Sequence, residues 1–484
     1  MKKVFVCCLG VLFVIGLSGM AMAKMGSGKV TAKSSDVDIK IFGSMLTYPT
    51  YVSNPDFNSD ATPYDFVLDD NGYQAEYNVR NQARLGFAGS GENWSFLMIL
   101  ESDVTYNHGN IDRGADRTNP LDSGMTGEDF GIERLEFDYN FGYFTLETGW
   151  QLKNLDIKTG GVLYGDDHPF IGLKGTYNDV KWEILSIYIC DDIKGVEHGK
   201  VIGPYDANAL DWRAYTAKAI FPIPIAGLEG LNVSPFYAYS ENNEHHAYVH
   251  YIGAEAYGKL GMITPRAEFV YAVGNENPED SEEDYDISAF AAFGALEFDL
   301  APYFKPYIGG YYISGDGDAN DHDIDAFNPI TNISQYAPTF GMENAFIYKY
   351  VPILGNHLYS NVPDMLGGAG TGYGGLSNTA SMNSPGAMSI GVGAKGTYDK
   401  WEYKAQFQYF WFADEGALED IKGKDISDEL GMEFDLRITY KFSKHFSVGN
   451  VISVFDPGDA IEDLYGDDYD ETAFMNTVEL KWQF

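Results

Sequence analysis

The chain is poor in cysteine and arginine, and after its first two dozen residues it has no long hydrophobic run. Of its 3 cysteines, Cys7 and Cys8 lie in the N-terminal apolar stretch, which leaves Cys190 alone. One thiol cannot close an internal disulfide, and no CxxC or CxxCH motif is present. Thiol-ligated metal clusters and covalently attached haem are therefore excluded. Basic residues are scarce as well: 32 Lys and Arg stand against 71 Asp and Glu, a formal net charge of -39. Such a chain repels nucleic acid, so no nucleic-acid partner is expected. Nothing later in the chain supplies the ~20 consecutive apolar residues of a membrane helix. A chain that crosses a bilayer without helices must do so as a closed barrel, because no other strand arrangement satisfies its backbone groups in lipid.

The N-terminus carries an export signal. Lys2 and Lys3 precede an apolar run from Val4 to Gly19, and Ala21-Met22-Ala23 offers a small-x-small cleavage site. Residues 1–23 are read as a signal peptide for Sec-dependent export, and Cys7 and Cys8 leave with it. Because these cysteines lie inside the apolar run rather than after it, a lipid-anchored N-terminus is not expected. Residues 24–36 form a polar periplasmic lead-in, and residues 37–484 form one domain.

Within that domain the dominant signal is alternation with a period of two, the mark of strands with unlike faces. In residues 75–87, Ala75, Tyr77, Val79, Ala83, Leu85 and Phe87 share one face, and Glu76, Asn78, Arg80, Gln82 and Arg84 share the other. Residues 401–411 set Trp401, Tyr403, Ala405, Phe407, Tyr409 and Trp411 against Glu402, Lys404, Gln406 and Gln408. Residues 430–442 repeat the pattern. The chain ends the same way, with Val478, Leu480, Trp482 and Phe484 opposite Glu479, Lys481 and Gln483. That ending resembles the closing strand of a bacterial outer-membrane β-barrel, which implies recognition by the barrel assembly machinery. A β-sandwich would also alternate. These strands, however, run to about 10 residues or more, the length a tilted transmembrane strand needs, and aromatics cluster at their ends, where interfacial girdles belong.

Connection lengths alternate too. Short links such as 89–93, 178–180, 259–262, 399–400 and 443–445 interleave with long ones at 47–74, 107–130, 154–170, 191–212, 315–386, 413–428 and 456–472. Outer-membrane barrels pair short periplasmic turns with long outer loops. The expected fold is all-β: a transmembrane antiparallel up-and-down barrel of about 18 strands, with 16–20 allowed, and both termini on the periplasmic side.

The inner face reads as polar and of mixed sign. Only 8 arginines exist, and five of them (Arg80, Arg84, Arg134, Arg266 and Arg437) occupy inward positions, beside carboxylates such as Glu76, Glu101 and Glu268. Charge belongs there, because an Arg or Lys turned to lipid costs ~2–4 kcal/mol at mid-bilayer. Two readings stay open: internal pairing that keeps the lumen wet, or an electrostatic track that selects charged solutes. Acids crowd the long loops at 276–286 and 456–471. The loop 315–386 exceeds ordinary connection length and is read as the segment that narrows the channel. At its start, Asp316, Asp318 and Asn320 place oxygens as a Ca²⁺ loop would. Asp321 and Phe327 stand where an EF-hand needs Gly and Glu, so only a looser Ca²⁺ site at the acidic loops is open.

The run Ile313-Ser314-Gly315-Asp316-Gly317-Asp318, with Asp325-Ala326-Phe327-Asn328-Pro329 and Phe340-Gly341-Met342 after it, resembles the signature of alginate-export-type outer-membrane porins. The resemblance covers about 30 residues and is architectural elsewhere. It implies a monomeric barrel that passes polar or anionic solutes, in some members an acidic polysaccharide. Those exporters have a strongly basic lumen, and the mixed-sign face here departs from that pattern.

Catalytic constellations do not emerge, and no enzyme is expected. His246 and His250 would share a strand face about 13 Å apart, too far for one zinc. His245, Glu241 and Glu244 lie nearby, and nothing links His108, Asp112 and His168. The sequence reading is therefore an outer-membrane porin, a passive channel for small hydrophilic solutes, embedded in outer-membrane lipid and lipopolysaccharide and needing no cofactor. Two alternatives are a dedicated exporter of an acidic polysaccharide and a barrel sheath around a periplasmic partner such as a multihaem cytochrome.

Overall fold

The computed structural model describes residues 30–33, 38–54, 57, 77–108, 125–156, 158–191, 196–197, 200–201, 211–225, 230–243, 246–277, 284–332 and 383–484. Eighteen long strands form the wall. They are β1 (Asp38–Ser53), β2 (Tyr77–Ser90), β3 (Trp94–His108), β4 (Met125–Asn140), β5 (Thr145–Asn154) and β6 (Tyr164–Tyr177). The next are β7 (Val180–Asp191), β8 (Asp211–Ile223), β9 (Gly230–Asn242), β10 (Ala247–Lys259), β11 (Ile263–Glu276) and β12 (Tyr285–Phe298). The last are β13 (Lys305–Ile313), β14 (Ala387–Tyr398), β15 (Trp401–Trp411), β16 (Glu429–Lys441), β17 (Phe446–Pro457) and β18 (Ala473–Gln483).

Each strand pairs antiparallel with its neighbour in sequence, and β18 closes on β1 from Ser44↔Gln483 to Ser53↔Phe474. The terminal residue completes the seam: Phe484 N donates to Gly43 O at 3.0 Å, and Gly43 N donates to Phe484 O at 3.2 Å. Beyond the end of β18, the four-residue strand Val30–Lys33 covers the free edge of β1 by pairing with Asp38–Ile41. The eighteen-strand expectation is met strand for strand, although several strands run longer toward the loops than alternation suggested; β6 begins at Tyr164 rather than near 171. No helix among the described residues is long and apolar enough to cross a membrane.

Local sequence explains the turns. Asn178 and Asp179 both have positive φ, 45° and 68°, and form the two-residue link between Tyr177 and Val180. That is the conformation a tight hairpin needs to match strand twist, and Asn and Asp tolerate it.

The outer face is apolar. Ile252, Phe269, Ile390 and Val392 are half or more exposed and point away from the lumen. Aromatic girdles ring both ends of the wall. Near the short turns Phe446 stacks on Trp482 (5.0 Å) and Phe442 on Phe446 (5.4 Å). Near the long loops Tyr409 meets Trp411 (4.4 Å) and Tyr51 meets Phe474 (6.5 Å). Rings with an apolar body and a polar edge suit the water–hydrocarbon boundary.

The inner face differs from the sequence expectation in its outer half. There Leu185, Ile187, Ala214, Val249, Tyr251, Val270, Ala272, Ile287, Ala289, Phe410 and Phe455 are buried and join one hydrophobic cluster. Besides further wall residues, that cluster takes in connecting segments folded into the barrel: Leu155, Val162 and Leu163; Ile324, Ala326, Phe327 and Ile330; Leu418 of α1 (Gly416–Lys422); and Ala460 and Ile461 of α2 (Asp459–Tyr465). An apolar inner face is stable only when covered, and each such side chain gains about 1.5–3 kcal/mol when taken out of water. Charge is concentrated in the half of the lumen near the short turns.

Candidate functional site

The lumen thus has two zones: a ring of charged side chains in the half near the short turns, and infolded segments that cap it at the long-loop end. On β2–β7 the ring holds two ion-pair clusters, one around Arg84 and one around Lys153 and Lys174. Arg84 ion-pairs with Glu101, its cross-strand partner, and its Nη2 lies 2.7 Å from Glu133 Oε1. Glu133 enters the lumen through a β-bulge: Leu100 faces Ile132 and Ile99 faces Arg134, so residue 133 has no partner in register. A bulge places two successive side chains toward the same side, and Arg134 Nη2 stands 3.6 Å from the same Glu133 oxygen. Strict alternation assigns Glu133 to the lipid face.

Further round the wall, Lys153 Nζ contacts Glu147 (2.6 Å) and Glu136 (3.3 Å), and Lys174 Nζ contacts Glu147 (2.9 Å) and Asp138 (3.0 Å). Glu136, Asp138 and Glu147 are the described carboxylates close enough to share a cation, with oxygens within 4.8 Å of one another. The two lysine ammonium groups already lie among them, which makes the cluster a salt-bridge network.

Two segments cap this ring. The first is the link between β5 and β6, residues 155–163, where the sequence reading placed an outer loop. It turns on itself, with Thr159 N and Gly161 N donating to Asp156 O at 3.1 and 3.3 Å. Asp156 Oδ2 accepts from Leu163 N at 2.6 Å. The turn is seated against the wall of β8–β12. Glu268 Oε2 of β11 accepts from Thr159 Oγ1 at 2.6 Å, Gly160 N at 2.7 Å and Gly161 N at 3.2 Å. Lys218 of β8 donates to Leu155 O and to Glu255 of β10. Gly160 is required by close approach: a Cβ there would lie 2.8 Å from the Phe293 Cβ of β12.

The second is the described part of the long loop, residues 314–332. Asp323–Ile324 runs parallel to Asp286–Ile287 of β12, and Thr331–Asn332 runs parallel to Tyr164–Gly165 of β6. Between these anchors, Phe327 meets Tyr251 of β10 edge-on at 6.1 Å, and Tyr251 Oη donates to Asn328 O at 2.9 Å. Ile330 N donates to Leu163 O at 3.1 Å, which joins the two segments into one cap. The described part of the 315–386 loop thus lies inside the barrel together with 155–163, and residues 333–382 lie outside the described residues.

Asp316, Asp318 and Asn320 fold as successive tight turns. Asp316 Oδ1 accepts from Asp318 N (3.3 Å), Asp318 Oδ1 accepts from Asn320 N (2.9 Å), and Asn320 Nδ2 donates to Asp420 Oδ2 (2.9 Å). Burial pushes the Asp316 carboxyl up to about 7; Asp321, Asp325 and Asp414 add to the rise, and the Asp318 N–H opposes it.

The remaining sequence-selected residues are placed as follows. Arg80 lies in β2 opposite Tyr48, and Glu76 lies outside the described residues. Arg266, in β11 opposite Tyr257 and Ala295, has no carboxylate within 4 Å among the described residues. Arg437 is 2% exposed, on β16 opposite Lys404, with Glu433 and Asp435 on the same face. His250 hydrogen-bonds through Nδ1 to Tyr237 Oη at 2.7 Å and stacks on Tyr239 at 4.9 Å on the outer face.

Alternation missed Glu133 and the Asp156–Gly161 turn. The signal for the turn was present: Val162-Leu163-Tyr164 is an apolar run directly after Thr-Gly-Gly, which a solvated loop does not need.

No family model and no curated protein matches this chain. Solved structures match over nearly its whole length. One is Pseudomonas aeruginosa OccK11 (OpdR), with a TM-score of 0.51, 10% identity, and coverage of 92% of this chain and 96% of that one. The outer membrane protein opdK from Pseudomonas aeruginosa gives 0.50 at 9% identity, covering 92% and 98%. OpdK with vanillate gives 0.51 at 9% identity, again covering 92% and 98%. At such identity the likeness is one of fold, and it supports a bacterial barrel of this architecture rather than the alginate-export type in particular.

Proposed function

We propose that this chain is an outer-membrane porin, a passive channel for small charged or polar solutes. The observation that carries this reading is the two-zone lumen: a closed barrel, apolar outside, whose inside holds a mixed-sign charged ring beneath an infolded cap. Hydrocarbon-facing side chains support a location in a bilayer, and the closed barrel supports the outer membrane. A solute that sheds water in the ring exchanges it for Arg, Lys and carboxylate partners of either sign, and no energy source or cofactor is involved. The cap favours small solutes over a polymer or a housed protein partner, since two segments already cross the space such a partner would fill. Vanillate, present with OpdK, is a small aromatic carboxylate and a reasonable first solute to test.

Planar-bilayer conductance with a panel of ions and small carboxylates tests the proposal. In the same assay Arg84→Glu should move the reversal potential in a KCl gradient toward that of potassium. The substitution removes the cation that neutralises Glu101 and Glu133 and adds a third carboxylate beside them. Failure of the wild-type chain to conduct would end the porin reading, and an unmoved reversal potential in the variant would limit Arg84 to a structural role.

A further inference from the structure

Glu268 is 4% exposed on a wall that should face water, and the donors its Oε2 accepts come from the 155–163 segment: one hydroxyl and two backbone N–H groups. The dependence is mutual. A buried carboxylate without donors is costly, and Gly160 N has no other acceptor in its turn. Around this contact lie Glu255, which ion-pairs with Lys218 and accepts from Thr159 Oγ1 at 3.2 Å, and Asp156, whose carboxylate accepts from Leu163 N and Tyr164 N within the segment and also abuts the Glu268 carboxyl. Below the seated turn is Phe293, against which Gly160 packs without a side chain. If the segment lifted away, lumen water would replace its donors on Glu268, so release exchanges one set of hydrogen bonds for another.

From this geometry we propose that Glu268 is a positioning residue that sets the size limit of the channel by latching the 155–163 segment across the lumen. It acts through the segment rather than on the solute. The inference rests on the porin reading, because a size limit has meaning only for a conducting barrel. It changes the role that inward placement suggested: Glu268 does not line the solute path while the latch is closed.

The test uses a covered wall position as reporter. Phe293→Cys is placed in a Cys190→Ser background and labelled from outside with an impermeant thiol reagent. Adding Glu268→Ala should raise the labelling rate about tenfold or more, since it removes three hydrogen bonds that hold the segment, each worth a factor of roughly several. Glu268→Gln keeps a carbonyl acceptor and should give an intermediate rate. In planar bilayers Glu268→Ala should admit larger neutral polyethylene glycols than the parent, with little change in the preference between small cations and anions. A merely structural role would move neither labelling nor the size limit. Equal labelling rates with and without Glu268→Ala, in protein shown to be folded by heat-modifiable gel mobility, would overturn the proposal. Should the Glu268 variants not assemble, Thr159→Val, made in the segment itself, carries the same two readouts in the Phe293→Cys background; should Phe293→Cys not assemble, the size limit of Thr159→Val alone decides. The labelling arm needs no conductance, so it separates failure of the latch from failure of the porin reading.

Discussion

Glu133 owes its place in the lumen to a backbone irregularity rather than to its spacing. Its neighbours alternate correctly on either side, and one extra residue between Ile132 and Arg134 turns a lipid-side position into a third member of the Arg84 cluster. Gly149 shows the same dependence on local geometry. It has φ 153°, and a Cβ there would lie 1.8 Å from Leu135 O across the β4–β5 ladder. Backbone cannot yield as a flexible side chain can, so Gly149→Ala should destabilise the barrel by about 1–3 kcal/mol. The temperature at which heat-modifiable gel mobility is lost should fall, and a variant melting with the parent would show that this ladder has room to shift.

Infolded segments behave differently from strands because they must satisfy their own polar groups. The 314–332 segment does so with three consecutive Asx turns, and the cost is a carboxyl at Asp316 that is 3% exposed and surrounded by Asp321, Asp325 and Asp414. Its affinity for the proton rises to about 7 in the folded state, above the ordinary aspartate value of 3.8. A raised carboxyl contributes stability that is fully present below its unfolded value and is lost as pH rises through the folded one. The segment should therefore resist limited proteolysis better at pH 5 than at pH 8. Asp316→Asn, which keeps the Oδ1 acceptor for Asp318 N and carries no charge, should be resistant at both. Equal cleavage of the parent at the two pH values would sink this account.

At the scale of the whole barrel, stability depends on closure. The seam between β18 and β1 is sealed at the short-turn rim by Phe484, whose ring stacks over Gly43 so closely that a Cβ there would approach it to 2.6 Å. Its backbone N and O are both bonded to Gly43. Deleting Phe484 removes two ladder bonds and the ring at the point where an open sheet would expose its edges. The folded fraction after expression to the outer membrane should fall, measured by heat-modifiable mobility, while Phe484→Tyr should restore it. A deletion that assembles as well as the parent would show that the seam is secure without its last residue.

Alternation along the strands and the rhythm of short and long links determined the wall of this protein from sequence alone. Those signals are local, because every second side chain of a strand meets a different solvent, and they were enough to place eighteen strands and the closing aromatic. Arg84 and Glu101 could be placed inside for the same reason. What fills the barrel was decided only in three dimensions. Strands such as Ile287–Leu296 are apolar on both faces, and period-two reasoning has nothing to say about such a face until it is known what covers it. The cover comes from 155–163 and 314–332, segments far apart in sequence that meet at Ile330 and Leu163. The Glu268 latch, the Glu133 bulge and the two-zone lumen depend on such long-range contacts, which a one-dimensional pattern does not encode.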